Sequence, residues 1–263
     1  MLLAVDIGNT QTVLGLFAGE ELCVTWRLSS DATRAVDDWY VTIVNLFERS
    51  DSVPEPYTAV DDVIIASVVP ALTTVWAELA QRLTGSDPLI VSAQMTGGLV
   101  LKVDNPAEVG ADRIANAAAA FVLYGAPAIV LDFGTATNID VIDADGAYLG
   151  GVISPGLQTS ANALFTAAAR LPMIDLELPP QILGTTTKTA VQSGLLYGEA
   201  AKMDALLRCL QIEQPLLDDP DVPIIATGGL ANLVAPLIPL VTERDEHLTL
   251  RGLRLIALAE GVL

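Results

Sequence analysis

Apolar and polar positions alternate in short blocks from the first residues onward. Leu2 to Val5 is a brief apolar run and Val13 to Phe17 a second, with Gly8 and Asn9 between them, which predicts two strands joined by a turn. After Gly19 and Glu20, Leu22, Val24, Trp26 and Leu28 alternate with Glu21, Cys23, Thr25 and Arg27, the period of a strand with one buried face. The chain therefore opens as a three-stranded meander. Val36, Trp39, Tyr40, Ile43, Val44 and Phe47 then follow helical spacing, with Thr33 as the expected cap. A strand over Asp62 to Pro70, a helix over Leu72 to Leu83, short strands near Leu89 and Val100, and an Ala-rich helix from Asp112 to Tyr124 complete this half. Gly125 is the expected stop.

At Ala128 the order begins again. AIVLDFGTATNIDVIDADGAYLGGVIS repeats the plan of LLAVDIGNTQTVLGLFAGEELCVTWRL: apolar strand, Asp-x-Gly, small polar residues, strand, turn, strand. Asp132 and Gly134 stand to the second half as Asp6 and Gly8 stand to the first. Helices are predicted after Pro155, from Thr187 to Leu210, and after Gly228, with the strand DVPIIATG between the last two. The plainer alternative is two unrelated α/β segments that share a common dipeptide pattern. Agreement of order, turn and register favours a duplicated α/β protein, divided at 1–118 and 119–263, with an active-site cleft between two lobes.

Composition narrows the partners. Across 263 residues, 13 Lys and Arg face 32 Asp and Glu, a formal net charge of −19, so a polyanion such as nucleic acid is repelled at long range. Cys23 and Cys209 are in no paired spacing and suit a reducing compartment. The apolar run after Met1 meets Asp6 too early for a secretory core, and no stretch approaches the roughly 18 apolar residues of a membrane span. A cytoplasmic location without membrane attachment is expected.

The repeated turns carry the candidate chemistry. At a strand end, Asp6 can hold a hydrated divalent cation while Gly8 lets backbone approach a phosphate and Asn9, Thr10 and Thr12 offer donors. Neither turn contains Lys, so amides, hydroxyls and metal must hold the phosphates. Asp132, Gly134, Thr135, Ala136 and Thr137 repeat the offer, and a third turn, Thr227 to Gly229, suits an adenosine against a helix N-terminus. No GxxxxGK[ST] loop is present. Asp112, at the start of a predicted helix and before Arg113, reads from the residues alone as a cap or an ion-pair partner. His247 reads as a solvated loop residue, and Trp26, Trp39 and Trp76 as core.

DIGNT at Asp6, GADR at Gly110, DFGTAT at Asp132, GGVISPGL at Gly150 and QSGLLYG at Gln192 resemble, in order and spacing, the motifs of the type III pantothenate kinases. That family belongs to the superfamily of actin, heat-shock chaperones and sugar kinases. The resemblance spans almost the whole chain. It implies a duplicated actin-like (RNase H-like) fold, each lobe having a mixed sheet and flanking helices. It further implies ATP-dependent phosphorylation of pantothenate, the first step of coenzyme A synthesis, by a homodimer using Mg2+ or a similar divalent cation and K+ or NH4+. Under it Asp112 is the general base. Asp6, Ile7, Gly8, Asn9, Thr10, Gln11, Thr12, Val13 and Thr135 bind ATP, Asp6 with its divalent cation. Asp132 binds the monovalent cation, and Val103, Gly110, Ala111, Asp112, Arg113 and Thr187 bind pantothenate. The chain departs from the family at three places: Val103 where a Tyr is usual, Thr186 where an Asn is usual, and Asn138 in place of a hydroxyl residue. These changes predict intact nucleotide machinery and an altered acceptor pocket. The competing readings are a kinase for another hydroxylated acid and a nucleotide-binding regulatory protein without turnover.

Overall fold

The first apolar run forms β1 (Leu2–Ile7), and Leu2, Leu3, Ala4 and Val5 are wholly buried. Burial on both faces explains why this strand reads as a continuous apolar run, while its neighbours alternate. β2 (Gln11–Ala18) pairs with it antiparallel and β3 (Glu21–Ser29) pairs with β2, giving the expected meander. The computed structural model describes residues 1–168, 171 and 173–262. On the other side of β1 lie β4 (Asp62–Ser67) and β5 (Leu89–Ile90), both parallel, so the sheet order is β3-β2-β1-β4-β5.

Two helices cover one face of this sheet. α1 (Val36–Arg49) buries Trp39, Ile43 and Phe47, and α2 (Pro70–Thr84) buries Leu72, Trp76 and Leu79; together they close over Leu3, Val5 and Ile7. Trp39 and Trp76 meet with ring centroids 5.2 Å apart, and Trp26 packs on Phe47, so all three tryptophans serve the core as expected. Thr33 does not cap α1. Its amide and hydroxyl are both taken by Asp31, and Ala35 stands at the cap position. No strand forms at Val100, which is exposed in a segment of turns containing the positive-φ residues Gly97 and Gly98.

α3 (Ala111–Tyr124) ends at Gly125 (φ +93°), and the plan then repeats. β6 (Ala128–Phe133), β7 (Ala136–Ile142) and β8 (Tyr148–Pro155) form a second meander. Next come α4 (Leu157–Ala167), α5 (Thr187–Glu213), β9 (Ile224–Thr227), the single turn α6 (Ala231–Val234) and β10 (Glu243–Arg244). The second sheet runs β10-β9-β6-β7-β8, with β9 parallel to β6 and β10 parallel to β9. This is the first order read element for element. Even the bulge repeats: the register slips between Leu16 and Phe17 in β2 and between Val141 and Ile142 in β7, one residue closer to the Asp-x-Gly in the second half. The shared irregularity supports duplication over chance similarity, since a bulge at the same rung of both ladders is not required by strand pairing. α5 closes its core, with Leu196, Met203 and Leu207 against Ile129, Leu131, Phe133, Ile139 and Val141.

The compact units differ at one point from a linear division of the chain. Met1–Ala119 forms one unit together with the segment from Leu248 onward, and Ala120–His247 forms the other. The returning segment is α7 (Leu248–Ala259), absent from the sequence-predicted elements, which packs on β1, β2 and β4. Leu250 lies over Gly15 of β2, and Gly252 lies directly against the Ala115 carbonyl of α3. Thr249 completes the contact by donating to Asn116 Oδ1 at 2.8 Å. No helix among the described residues is long and apolar enough to cross a membrane.

The α3–α7 contact predicts the cost of a single methyl group. At Gly252 a Cβ would overlap backbone rather than a movable side chain, so Gly252→Ala is expected to cost about 2–3 kcal/mol. Thermal unfolding checks this, with an expected fall in Tm of about 5–10 °C.

Candidate active site

The Asp6 turn is built by strand alternation and closed by hydrogen bonds. Ile7 points into the α1–α2 core, so Asp6 lies on the opposite face with Leu2 and Ala4, the face that α7 covers. Gly8 N donates to Gln11 O at 2.9 Å, which holds Asn9, Thr10 and Gln11 out in solvent. Thr12 is different: its hydroxyl is wholly buried and lies 2.9 Å from Ser30 Oγ. Ser30 in turn donates to Gly8 O at 2.6 Å, and its amide donates to Thr10 O at 3.0 Å. One residue past β3 thus fixes both ends of the turn. Arg27 Nη1 bonds Gln11 Oε1 at 2.9 Å on the exposed side, and Val13 is half-buried. Ser30 was missed by the sequence reading because the alternation of β3 ends before it and no motif marks it.

Asp112 lies at the same strand ends. Val68, just past β4, donates its amide to Ile7 O at 3.1 Å, tying the ends of β1 and β4 together. A methyl group on Gly110 would stand 2.5 Å from Asp112 Oδ1 and 3.7 Å from Val68 Cγ1, so the carboxylate lies against this edge of the sheet. It stands in the first turn of α3, where a capping carboxylate is expected, and Oδ1 does accept the Arg113 amide at 2.9 Å. Burial nevertheless pushes the Asp112 carboxyl above its ordinary value, with the Arg113 amide and guanidinium offsetting only part. A buried carboxyl raised above its ordinary value, at the sheet edge that carries an Asp-x-Gly turn, is a stronger proton acceptor than a solvated carboxylate. Ala111 is buried, while Val103 is half-buried in the loop before Asn105 and Pro106.

In the second unit Asp132 occupies the rung equivalent to Asp6, opposite Asn138 on β7 and Thr227 on β9. Its carboxylate packs against Gly228, and Leu230 N donates to Phe133 O at 3.2 Å. Past Thr227 the chain turns at Gly228 (φ +91°) into α6, a single turn of four residues, so the expected strand, turn and short helix are all in place. The Gly134 turn is one residue shorter than its counterpart, with Gly134 N bonded to Ala136 O at 3.0 Å. Thr135 is exposed at its tip, and its carbonyl accepts Gly156 N at 3.1 Å and Thr159 Oγ1 at 2.7 Å. Thr187 is the exposed first residue of α5 and lines an apolar groove of about 520 Å3 with Leu164, Leu171, Ala190, Val191 and Leu195. Thr186 caps that helix through a hydrogen bond from Thr189 N at 3.1 Å, a role that Asn fills equally well. His247, expected as a solvated loop residue, is half-buried in the turn before α7 and donates its amide to Asp245 Oδ1 at 3.0 Å.

Within the first unit, then, the structure brings Asp112 and Arg113 to the edge of the sheet that carries Asp6 and its turn. Within the second it brings Asp132, Thr135 and Gly228 to the matching edge. Among the described residues no group of three or more His, Cys, Asp or Glu side chains could hold a metal alone. Any cation at Asp6 therefore takes most of its ligands from elsewhere.

The model of the type III pantothenate kinase family matches residues 2–208. A type III pantothenate kinase of Thermomicrobium roseum is 48% identical over 254 residues, covering 97% of this chain and 95% of the relative. Among solved structures, a conserved Baf family protein of Campylobacter jejuni superposes with a TM-score of 0.63 at 18% identity, covering 99% of this chain and 100% of the other. The ROK hexokinase of Thermus thermophilus gives a TM-score of 0.54 at 12% identity over 99% of this chain and 98% of its own. Both likenesses concern the fold, two five-stranded mixed sheets with flanking helices in the actin-like plan. Sequence identity over nearly the full length carries more: the chain belongs to the type III pantothenate kinase family.

Proposed function

We propose that this kinase transfers the γ-phosphate of ATP to the hydroxyl of pantothenate, giving 4′-phosphopantothenate for coenzyme A synthesis, with Asp112 as general base. The observation that carries this reading is the raised Asp112 carboxyl at the sheet edge shared with the Asp6 turn. As the hydroxyl oxygen bonds to the γ-phosphorus, the bond from phosphorus to the β,γ-bridging oxygen breaks and leaves ADP. The hydroxyl proton passes to Asp112. With Oδ1 held by the Arg113 amide, Oδ2 is the oxygen that accepts it. Gly110, Ala111, Arg113, Val103 and Thr187 line the acceptor, and Arg113 offers a forked donor to its carboxylate.

The turn from Asp6 to Val13, together with Thr135, holds the ATP phosphates. Asn9, Thr10 and Gln11 present amides and side chains to solvent from a backbone that Ser30 keeps in one shape, so little ordering is required on binding. The residues fit a divalent cation of the Mg2+ kind. Asp6 supplies one hard oxygen, and the lack of a surrounding acidic cluster suits an ion that keeps water and phosphate as its other ligands. Such an ion supplies charge neutralisation for the phosphates. A monovalent cation, K+ or NH4+, fits Asp132: on the same face Asn138 Oδ1 is buried and accepts no hydrogen bond from the described residues. A homodimer follows from the family reading. Val103 favours a second reading in which the acceptor is a related hydroxylated acid, and competition between such acids and pantothenate separates the two.

Phosphate transfer to pantothenate tests the assignment. Asp112→Asn is expected to lower kcat by a factor of at least about 10² while ATP still binds. Since burial raises the pKa, the folded protein holds this proton more tightly than the unfolded chain, and stability from this group is lost as pH rises through its folded value. Asp112→Asn should accordingly leave Tm at pH 7 unchanged or raised, and the acid limb of the native kcat/KM profile should lie above the ordinary carboxylate range. Turnover retained in Asp112→Asn would overturn the role.

Ser30→Ala removes two hydrogen bonds to the Asp6 turn without touching substrate. Loss of this clamp is expected to raise the KM for ATP about tenfold, with pantothenate KM changed by less than about twofold. Steady-state kinetics with each substrate varied in turn checks this.

A further inference from the structure

The two Asp-x-Gly turns are supported in different ways, and the difference points to one lysine. In the first unit Ser30, the residue after β3, donates its amide to Thr10 O and its hydroxyl to Gly8 O, and its Oγ accepts from the Thr12 hydroxyl. In the second unit the equivalent residue after β8 is Gly156. Its amide still donates to the equivalent carbonyl, Thr135 O, but no hydroxyl is available. Nor could one be: the shorter turn lies so close that a Cβ on Gly156 would stand 2.5 Å from Thr135 O and overlap Gly134 O. The consequence is visible at Thr137, the counterpart of Thr12, whose buried hydroxyl has no hydrogen-bond partner among the described residues.

We propose that Lys202 of α5 is a positioning residue for the Thr135 turn, replacing the serine clamp of the first unit. Its ammonium donates to Ser154 Oγ at 3.1 Å and reaches Pro155 O at 3.5 Å, the last two residues of β8. Ser154 passes the contact on by donating to Thr137 O at 3.3 Å, and Gly156 and Thr159 immediately downstream hold Thr135 O. The lysine is itself held by Glu199, one turn back on α5, at 2.7 Å. The Glu199 side chain is only 5% exposed, and its Oε1 accepts no hydrogen bond from the described residues. A carboxylate is kept there at a desolvation cost that only a paired cation offsets. The chain has three lysines, Lys102, Lys188 and Lys202, so spending one at this place is notable in a protein of net charge −19. The inference rests on the proposal that Thr135 holds ATP phosphates.

Lys202→Met alone would leave Glu199 charged and buried, so the informative variant is Lys202→Met with Glu199→Gln, compared with Lys202→Arg. Hydrogen exchange of the Gly134 and Gly156 amides, thermal unfolding, and KM for ATP and pantothenate are measured on each. In the double variant the two amides are expected to exchange about tenfold faster and KM for ATP to rise about tenfold, with pantothenate KM and Tm nearly unchanged. Lys202→Arg should restore both to within about threefold of native. Unchanged exchange at Gly134 and Gly156 in the double variant, or an equal rise in both KM values, would overturn the positioning role. Absence of phosphate transfer in the native chain would instead defeat the proposed function, and the exchange rates would still decide whether Lys202 holds the turn.

Discussion

Each half of the molecule depends on the way its central strand ends. β1 and β6 pair antiparallel on one side and parallel on the other, and at their last rung the antiparallel neighbour must be reached by a tight turn. The hydrogen bonds from Gly8 N to Gln11 O and from Gly134 N to Ala136 O close those turns. Because side chains alternate, closing the turn just after Ile7 or Phe133 commits the preceding Asp to the face away from the main core. A carboxylate is thereby delivered to the sheet edge beside a stretch of exposed amides and hydroxyls. The rest of the candidate site is arranged around this edge.

Rigidity of these turns is supplied by whatever follows the third strand of each meander. In the first unit a hydroxyl suffices, because the longer turn leaves room for Ser30 between Gly8 O and Thr12. In the second, deletion of one residue brings the turn onto Gly156, and support comes from Thr159 and, through Ser154 and Pro155, from α5. Duplication has preserved the backbone bonds, down to the donation from Ser30 N or Gly156 N, while the side chains have diverged. Asp112 adds to this edge of the first unit a carboxyl that burial raises above its ordinary value.

Much of this was legible in the chain. The repeat was, because Asp-x-Gly, strand, turn and strand are local patterns, and their spacing survives duplication. Asp112 was legible as a helix-start carboxylate and, through the GADR motif, as a candidate base; its raised carboxyl depends on burial, which no local pattern encodes. Residues acting at a distance were not legible. α7 belongs with the first unit because Gly252 meets Ala115, a contact between residues far apart in sequence, and a run such as LTLRGLRLI says nothing about where it packs. Ser30 and Lys202 lie outside every motif and matter only through the carbonyls they reach. The strand expected at Val100 failed for a converse reason: apolar residues were present, but turn geometry at Gly97 and Gly98 leaves no strand for them, while the helix expected after Gly228 forms as the short α6.

The central claim is that the Asp6 turn holds phosphate while Asp112 faces the acceptor hydroxyl. A crystal structure with pantothenate and a non-hydrolysable ATP analogue, grown with magnesium and potassium, tests it most directly. The account predicts phosphate oxygens on the amides between Gly8 and Thr10 and the pantothenate hydroxyl within hydrogen-bond reach of Asp112 Oδ2. Phosphates bound away from that turn, or a hydroxyl facing a group other than Asp112, would contradict it.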